Sequence, residues 1–125
     1  MKLVELDILG QKRYLCNSVR VTKAIVQKFG STADMRETLT GDDTGKTLDA
    51  VVWLMLQLMD GGYRYAKING LPCPEPPSED ELLDGYDLSD LSTLQMTALR
   101  AMNETSTADV EAEATSKNGA TTVGQ

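Results

Sequence analysis

The chain has 125 residues, with 19 acidic side chains against 12 basic ones and a formal charge of −7. That length suits one domain of about 100 residues plus a tail. The negative balance disfavours nucleic acid as a partner and suits a basic one. Histidine is absent and the two cysteines, Cys16 and Cys73, lie far apart, so neither a zinc site nor imidazole catalysis is expected.

Aromatic residues make up 5% of the chain, so its core has to be built from Leu, Val, Ile, Met and Ala. Glu5 and Asp7 interrupt any signal-peptide apolar region, and no apolar run approaches the roughly 20 residues that span a bilayer. The expectation is a soluble intracellular protein with no membrane partner and with reduced thiols.

Residues 2–8 alternate, with Val4, Leu6 and Ile8 on one parity. Gly10 and Gln11 form a short polar break before Lys12-Arg13-Tyr14-Leu15-Cys16, which predicts a β-hairpin over 2–16. Two strands alone are marginal in water, so the hairpin must rest on another element. Asn17 and Ser18 are N-cap types, and behind them Val21, Ile25 and Phe29 recur every four residues, giving a helix at about 18–29 that stops at Gly30. Lys23 and Lys28 fall on its outer side. Residues 31–47 read as polar loop, with Met35 and Leu39 compatible with one short helix and Gly41 to Gly45 as a turn cluster.

Thr47 then caps the most apolar segment, and a helix is expected over about 48–68. Leu48, Val51, Val52, Met55, Leu58 and Met59 form one wide stripe, with Trp53, Leu54 and Leu56 off it, so the helix is apolar almost all round and must be covered on more than one side. Gly61-Gly62 should weaken it by roughly 1 kcal/mol per glycine, and Gly70 should stop it. The four prolines between Leu71 and Pro77 make a connector that cannot be helix interior. Ser78 and Glu81 have capping-box spacing and open a short helix at 79–84 carrying Leu82 and Leu83. Asp87 caps a last helix at 88–102, lined by Leu88, Leu91, Leu94, Gln95, Ala98 and Met102. Large apolar residues almost vanish after Asn103, so 104–125 is expected to be a disordered acidic tail. The fold class is therefore α+β: a small, mainly α-helical domain over 1–103 with an N-terminal β-hairpin, followed by that tail.

Gly41-Asp42-Asp43-Thr44-Gly45-Lys46-Thr47 resembles a phosphate loop but lacks one residue between its glycines, and its two aspartates would repel the anion. A turn followed by a helix cap is the simpler reading. Glu79, Asp80, Glu81, Asp84, Asp87 and Asp90 are dense but suit helix starts, not the alternating oxygens of a calcium loop. Ser18, Ser78, Ser89 and Ser92 have no activating context, and neither cysteine has basic neighbours. No catalytic, cofactor-binding or metal residue is assigned, and an enzyme is not expected. What remains is apolar excess in the tryptophan-bearing helix, together with flexible methionines that tolerate varied partners. On that ground Trp53, Leu54, Leu56 and Tyr63, with Met59 shared, are the candidate partner-binding residues.

The order of segments carries a resemblance. A hairpin is followed by Val21-Thr22-Lys23-Ala24-Ile25-Val26-Gln27-Lys28-Phe29-Gly30, by Leu48 to Met59, and by Gly62-Tyr63-Arg64-Tyr65-Ala66-Lys67-Ile68-Asn69-Gly70. An acidic stretch, a last helix and a frayed tail come after it. Over residues 1–103 the chain resembles the tail assembly chaperones of long-tailed phages and prophages of Gram-positive bacteria. The resemblance implies a protein that binds the long, helix-rich tape measure protein, keeps it soluble and assists tail-tube assembly. It further implies contacts with the tail tube protein or with further copies of itself, a place in the host cytoplasm, and absence from the mature virion. The family brings no catalytic residues. The rival expectations are a structural minor tail or connector protein, and a small acidic inhibitor of a host factor.

Overall fold

The computed structural model describes the backbone of residues 3–114 and the side chains of 3–103, residue 91 excepted. Two strands, β1 (Val4–Ile8) and β2 (Gln11–Leu15), lead into five helices: α1 (Val19–Phe29), α2 (Thr32–Leu39), α3 (Thr44–Ile68), α4 (Glu79–Gly85) and α5 (Leu88–Ala114). The fold is the expected α+β type, an N-terminal hairpin on a mainly helical body.

The strands pair antiparallel, with Val4 opposite Leu15 and Ile8 opposite Gln11. Period-two alternation turns Val4 and Ile8 inward and leaves Glu5 and Asp7 in solvent. The turn is Leu9-Gly10, one residue earlier than the polar break predicts, because Gln11 already belongs to the ladder. Both turn residues have positive φ, 52° at Leu9 and 82° at Gly10, which matches the twist of a tight hairpin. A left-handed leucine costs roughly 1–2 kcal/mol. Tertiary contacts hold it: the Leu9 N–H donates to the Tyr86 hydroxyl at 3.2 Å, and its side chain lies against Gly85.

The hairpin rests on α3. The Cys16 N–H donates to the Leu58 carbonyl at 3.1 Å, so strand and helix meet backbone to backbone. Gly61 and Gly62 allow this. A Cβ on Gly62 would fall far inside van der Waals contact of the Tyr14 carbonyl, and one on Gly61 would do the same at the Cys16 carbonyl. The pair does not interrupt α3, which runs through it as one helix of 25 residues. Its role is close approach, a use of glycine that local propensity does not register.

Helix α3 starts four residues before the expected position. Asp43 is the N-cap, its carboxylate accepting from the Lys46 N–H at 3.1 Å. Thr47, read from sequence as the cap, is instead buried inside the first turns, where its hydroxyl donates to the Thr38 carbonyl at 3.1 Å. Aspartate is at least as good an N-cap as threonine. The far end closes as a Schellman motif: Leu71 N–H donates to the Ala66 carbonyl at 2.8 Å, and Gly70 has φ 70°.

Helix α3 is the centre of the molecule, touched by β2, α1, α2, α4 and α5. That explains its nearly all-round apolar character. The core joins Ile8 and Leu15 of the hairpin to Val21 and Ile25 of α1, Met35 and Leu39 of α2, and Ala98 and Met102 of α5. α1 begins at an N-cap Ser18 and ends at Gly30 (φ 94°), as expected. α4 carries the predicted capping box, Glu81 N–H to Ser78 Oγ at 3.1 Å and Ser78 N–H to Glu81 Oε1 at 2.8 Å. Only Leu82 of its leucine pair is buried; Leu83 is half exposed. In α5 the core side is Ala98, Ala101 and Met102, and Leu88 points away at 68% exposure. The Gln95 side-chain amide donates to the Leu39 carbonyl, tying α5 to α2.

Arg13 is 6% exposed at an inward strand position. Its guanidinium donates to the Ile8 carbonyl at 3.3 Å, to Gln11 Oε1 at 2.8 Å and to the Glu75 carbonyl. The proline connector is thereby fastened to the hairpin. Helix α5 continues through 104–114, part of the stretch expected to be a disordered tail; the rest of that stretch, 115–125, lies outside the described residues.

A candidate binding face along α3

Steps of three and four residues place Lys46, Asp49, Trp53, Leu56, Gln57, Asp60, Tyr63, Arg64 and Lys67 on one outward stripe of α3, and each is at least partly exposed. The five residues expected to meet a partner divide across this boundary. Trp53, Leu56 and Tyr63 lie on the stripe and are partly buried, Trp53 and Leu56 packing against the core. Leu54 is fully buried and Met59 is 2% exposed, so both belong to the core and not to a free surface. The physical reason is angular. One residue along a helix is a 100° turn, and Leu54 faces inward because the core wraps more than half of α3.

The end of α1 shapes the surroundings of Trp53. Phe29 meets the indole edge-to-face, with ring centroids 5.6 Å apart and planes at 81°. Lys28 Nζ lies 5.3 Å from the Trp53 ring and 5.8 Å from the Phe29 ring. Lys67 Nζ stands 5.3 Å from the Tyr63 ring. Each aromatic on the face therefore has a cation beside it.

Charge is strongly segregated. α1 carries Arg20, Lys23 and Lys28 and no acid. α3 carries Lys46, Arg64 and Lys67 against Asp49 and Asp60. From 71 to 99 the chain has no base, and its acids are Glu75, Glu79, Asp80, Glu81, Asp84, Asp87 and Asp90. The negative net charge thus belongs to the α4 side, and the α1–α3 face is cationic. The expectation of a basic partner, drawn from net charge, does not fit this face.

At the far end of the stripe an open groove of about 600 Å³ runs between the start of α1 and the end of α3. Val19 and Ile68 on its walls are 86% and 82% exposed. Sequence reasoning passed over both, although a signal was present. Val19 is out of phase with the Val21–Ile25 stripe, and Ile68 is the last residue of its helix.

The other candidates resolve into structural roles. Gly45 sits in the first turn of α3 behind the Asp43 cap, so the 41–47 segment is a helix start. Glu81 closes the α4 capping box, and Asp87 and Asp90 cap α5 reciprocally: Asp90 N–H to Asp87 Oδ1 and Asp87 N–H to Asp90 Oδ2, both at 3.1 Å. The Ser89 hydroxyl, 2.6 Å from Asp87, together with the Asp90 N–H, holds the Asp87 carboxyl below its ordinary pKa. Among the described residues no group of three or more Cys, Asp or Glu side chains is arranged to hold a metal ion, and no helix is long and apolar enough to cross a membrane. Cys16 is buried and Cys73 partly buried, and no disulfide joins them. No family model, curated protein or solved structure matches the chain.

Proposed function

We propose that this chain is a non-catalytic binding protein, a tail assembly chaperone that holds the tape measure protein of a long-tailed phage until tail-tube subunits assemble round it. The observation that carries the reading is the outward stripe of α3. Trp53, Leu56 and Tyr63 keep part of their surface open after the hairpin and four helices have closed round the same helix. Burying about 400 Å² of apolar surface there would gain on the order of 10 kcal/mol gross at 25 cal/mol per Å². Ordering and association costs offset most of it. A grip of that kind can hold a client and release it. The order of segments, which resembles the tail assembly chaperones, supplies the client's identity.

Co-expression tests the role. The tape measure protein should be soluble with this chain present and aggregate without it; equal solubility in both cases ends the proposal. Trp53 is the single tryptophan of the chain. Its emission should shift to the blue and become harder to quench when the client binds.

A further inference from the structure

We infer that the groove between the start of α1 and the end of α3 takes a peptide segment that carries carboxylates beside apolar side chains. The inference rests on the reading of this face as a client site, and names the chemistry of the client segment.

Three observations converge. First, Val19 and Ile68 are the two most exposed large apolar residues described, at 86% and 82%, and they line the same groove. Among the described residues nothing covers this apolar wall. Second, the groove is cationic within an acidic protein. Arg20, Arg64 and Lys67 line it, against the single acid Asp60, which pairs with Arg64 at 2.8 Å. Third, the helix ends do not alter that sign. The positive end of α1 and the negative end of α3 each contribute about half a charge and largely cancel, so the side chains decide. Tyr63 lies both in the groove and on the α3 stripe, so an occupant of the groove continues onto the Leu56 and Trp53 surface.

A bare polyanion would satisfy the cations and leave Val19 and Ile68 in water. A purely apolar segment would desolvate Arg20 and Lys67 without a partner, which is costly. A segment with both groups satisfies both halves. Opposed charge also gives fast, salt-sensitive encounter.

The probes are two synthetic peptides with the same leucine stripe, one flanked by glutamates and the other by lysines. The readouts are calorimetry and amide-shift mapping on the full chain. The glutamate peptide should bind at least about tenfold tighter, weaken as salt rises, and shift amides around Val19, Tyr63 and Ile68. In the double variant Arg20→Glu, Lys67→Glu, with helicity checked by circular dichroism, the preference should vanish or invert. Equal affinity for the two peptides, or shifts confined to another face, would overturn the inference. So would a single-stranded oligonucleotide that outcompetes the glutamate peptide. Concentration-dependent self-association that the double variant abolishes and the glutamate peptide fails to displace would assign the groove to a second copy, and overturn it too. If the glutamate peptide fails while the tape measure protein still depends on this chain for solubility, the inference falls and the chaperone role stands. If that dependence is missing, the role falls whatever the peptides do.

Discussion

The inner and outer faces of α3 both carry large apolar side chains, but only the outer face sets them among charged residues and leaves them partly exposed. Inside, Leu54, Met55, Leu58 and Met59 are sealed, and Gly61 and Gly62 let the hairpin backbone lie directly on the helix. Outside, Trp53, Leu56 and Tyr63 stay partly exposed, and Trp53 and Tyr63 each have a lysine beside the ring. Hydrophobicity alone does not separate a core side chain from a surface available to a client. The separation comes from which angular sector of the helix its five neighbouring elements leave uncovered.

Substitutions can break this comparison or sharpen it. The largest effect is expected at the glycine crossing. Gly62→Ala forces a methyl into the Tyr14 carbonyl, where backbone must move, and should cost about 4 kcal/mol or prevent folding. Chemical denaturation measures it; a variant of wild-type stability would mean that strand and helix do not meet there. Next comes a matched pair on the two faces. Leu58→Ala should cost about 3 kcal/mol from the buried side, and Leu56→Ala about 1 kcal/mol from the partly exposed side. Equal losses would erase the distinction on which the proposed site depends.

Arg13→Met removes the hydrogen bonds to the Ile8 and Glu75 carbonyls while keeping most of the side-chain volume, and should cost about 2 kcal/mol. Proteolysis should then cut the 71–77 connector faster, since its anchor to the hairpin is gone.

The smallest effect concerns pH. The folded pKa of Asp87 is lowered by the Ser89 hydroxyl and the Asp90 N–H, so its contribution to stability is present above the unfolded-chain value and is lost as pH falls through the folded one. A carboxyl titration by NMR should place its midpoint below that of an unstructured aspartate. Asp87→Asn should remove the matching acid step in α5 helicity. A midpoint at the ordinary value would mean that the cap is not formed.

The sequence by itself determined most of the elements and several of their ends. Alternating Val4, Leu6 and Ile8, the Ser18 cap, Gly30, Gly70 and the Ser78–Glu81 capping box are signals read within a few residues, because capping and periodicity are local physics. It also placed Trp53, Leu56 and Tyr63 off the main core stripe. Only the tertiary structure decided the rest. Asp43 displaces Thr47 as the cap because Thr47 is drawn inward to the Thr38 carbonyl of another helix. Gly61 and Gly62 change from weak points to requirements because a strand distant in sequence lies on them. Leu54 moves from surface to core, Met59 belongs to the core alone and is not shared with a partner face, and Val19 and Ile68 emerge beside cations in a protein of negative net charge. Each of these depends on which segments meet across the fold, and that is set by burial summed over the whole chain, not by any window along it.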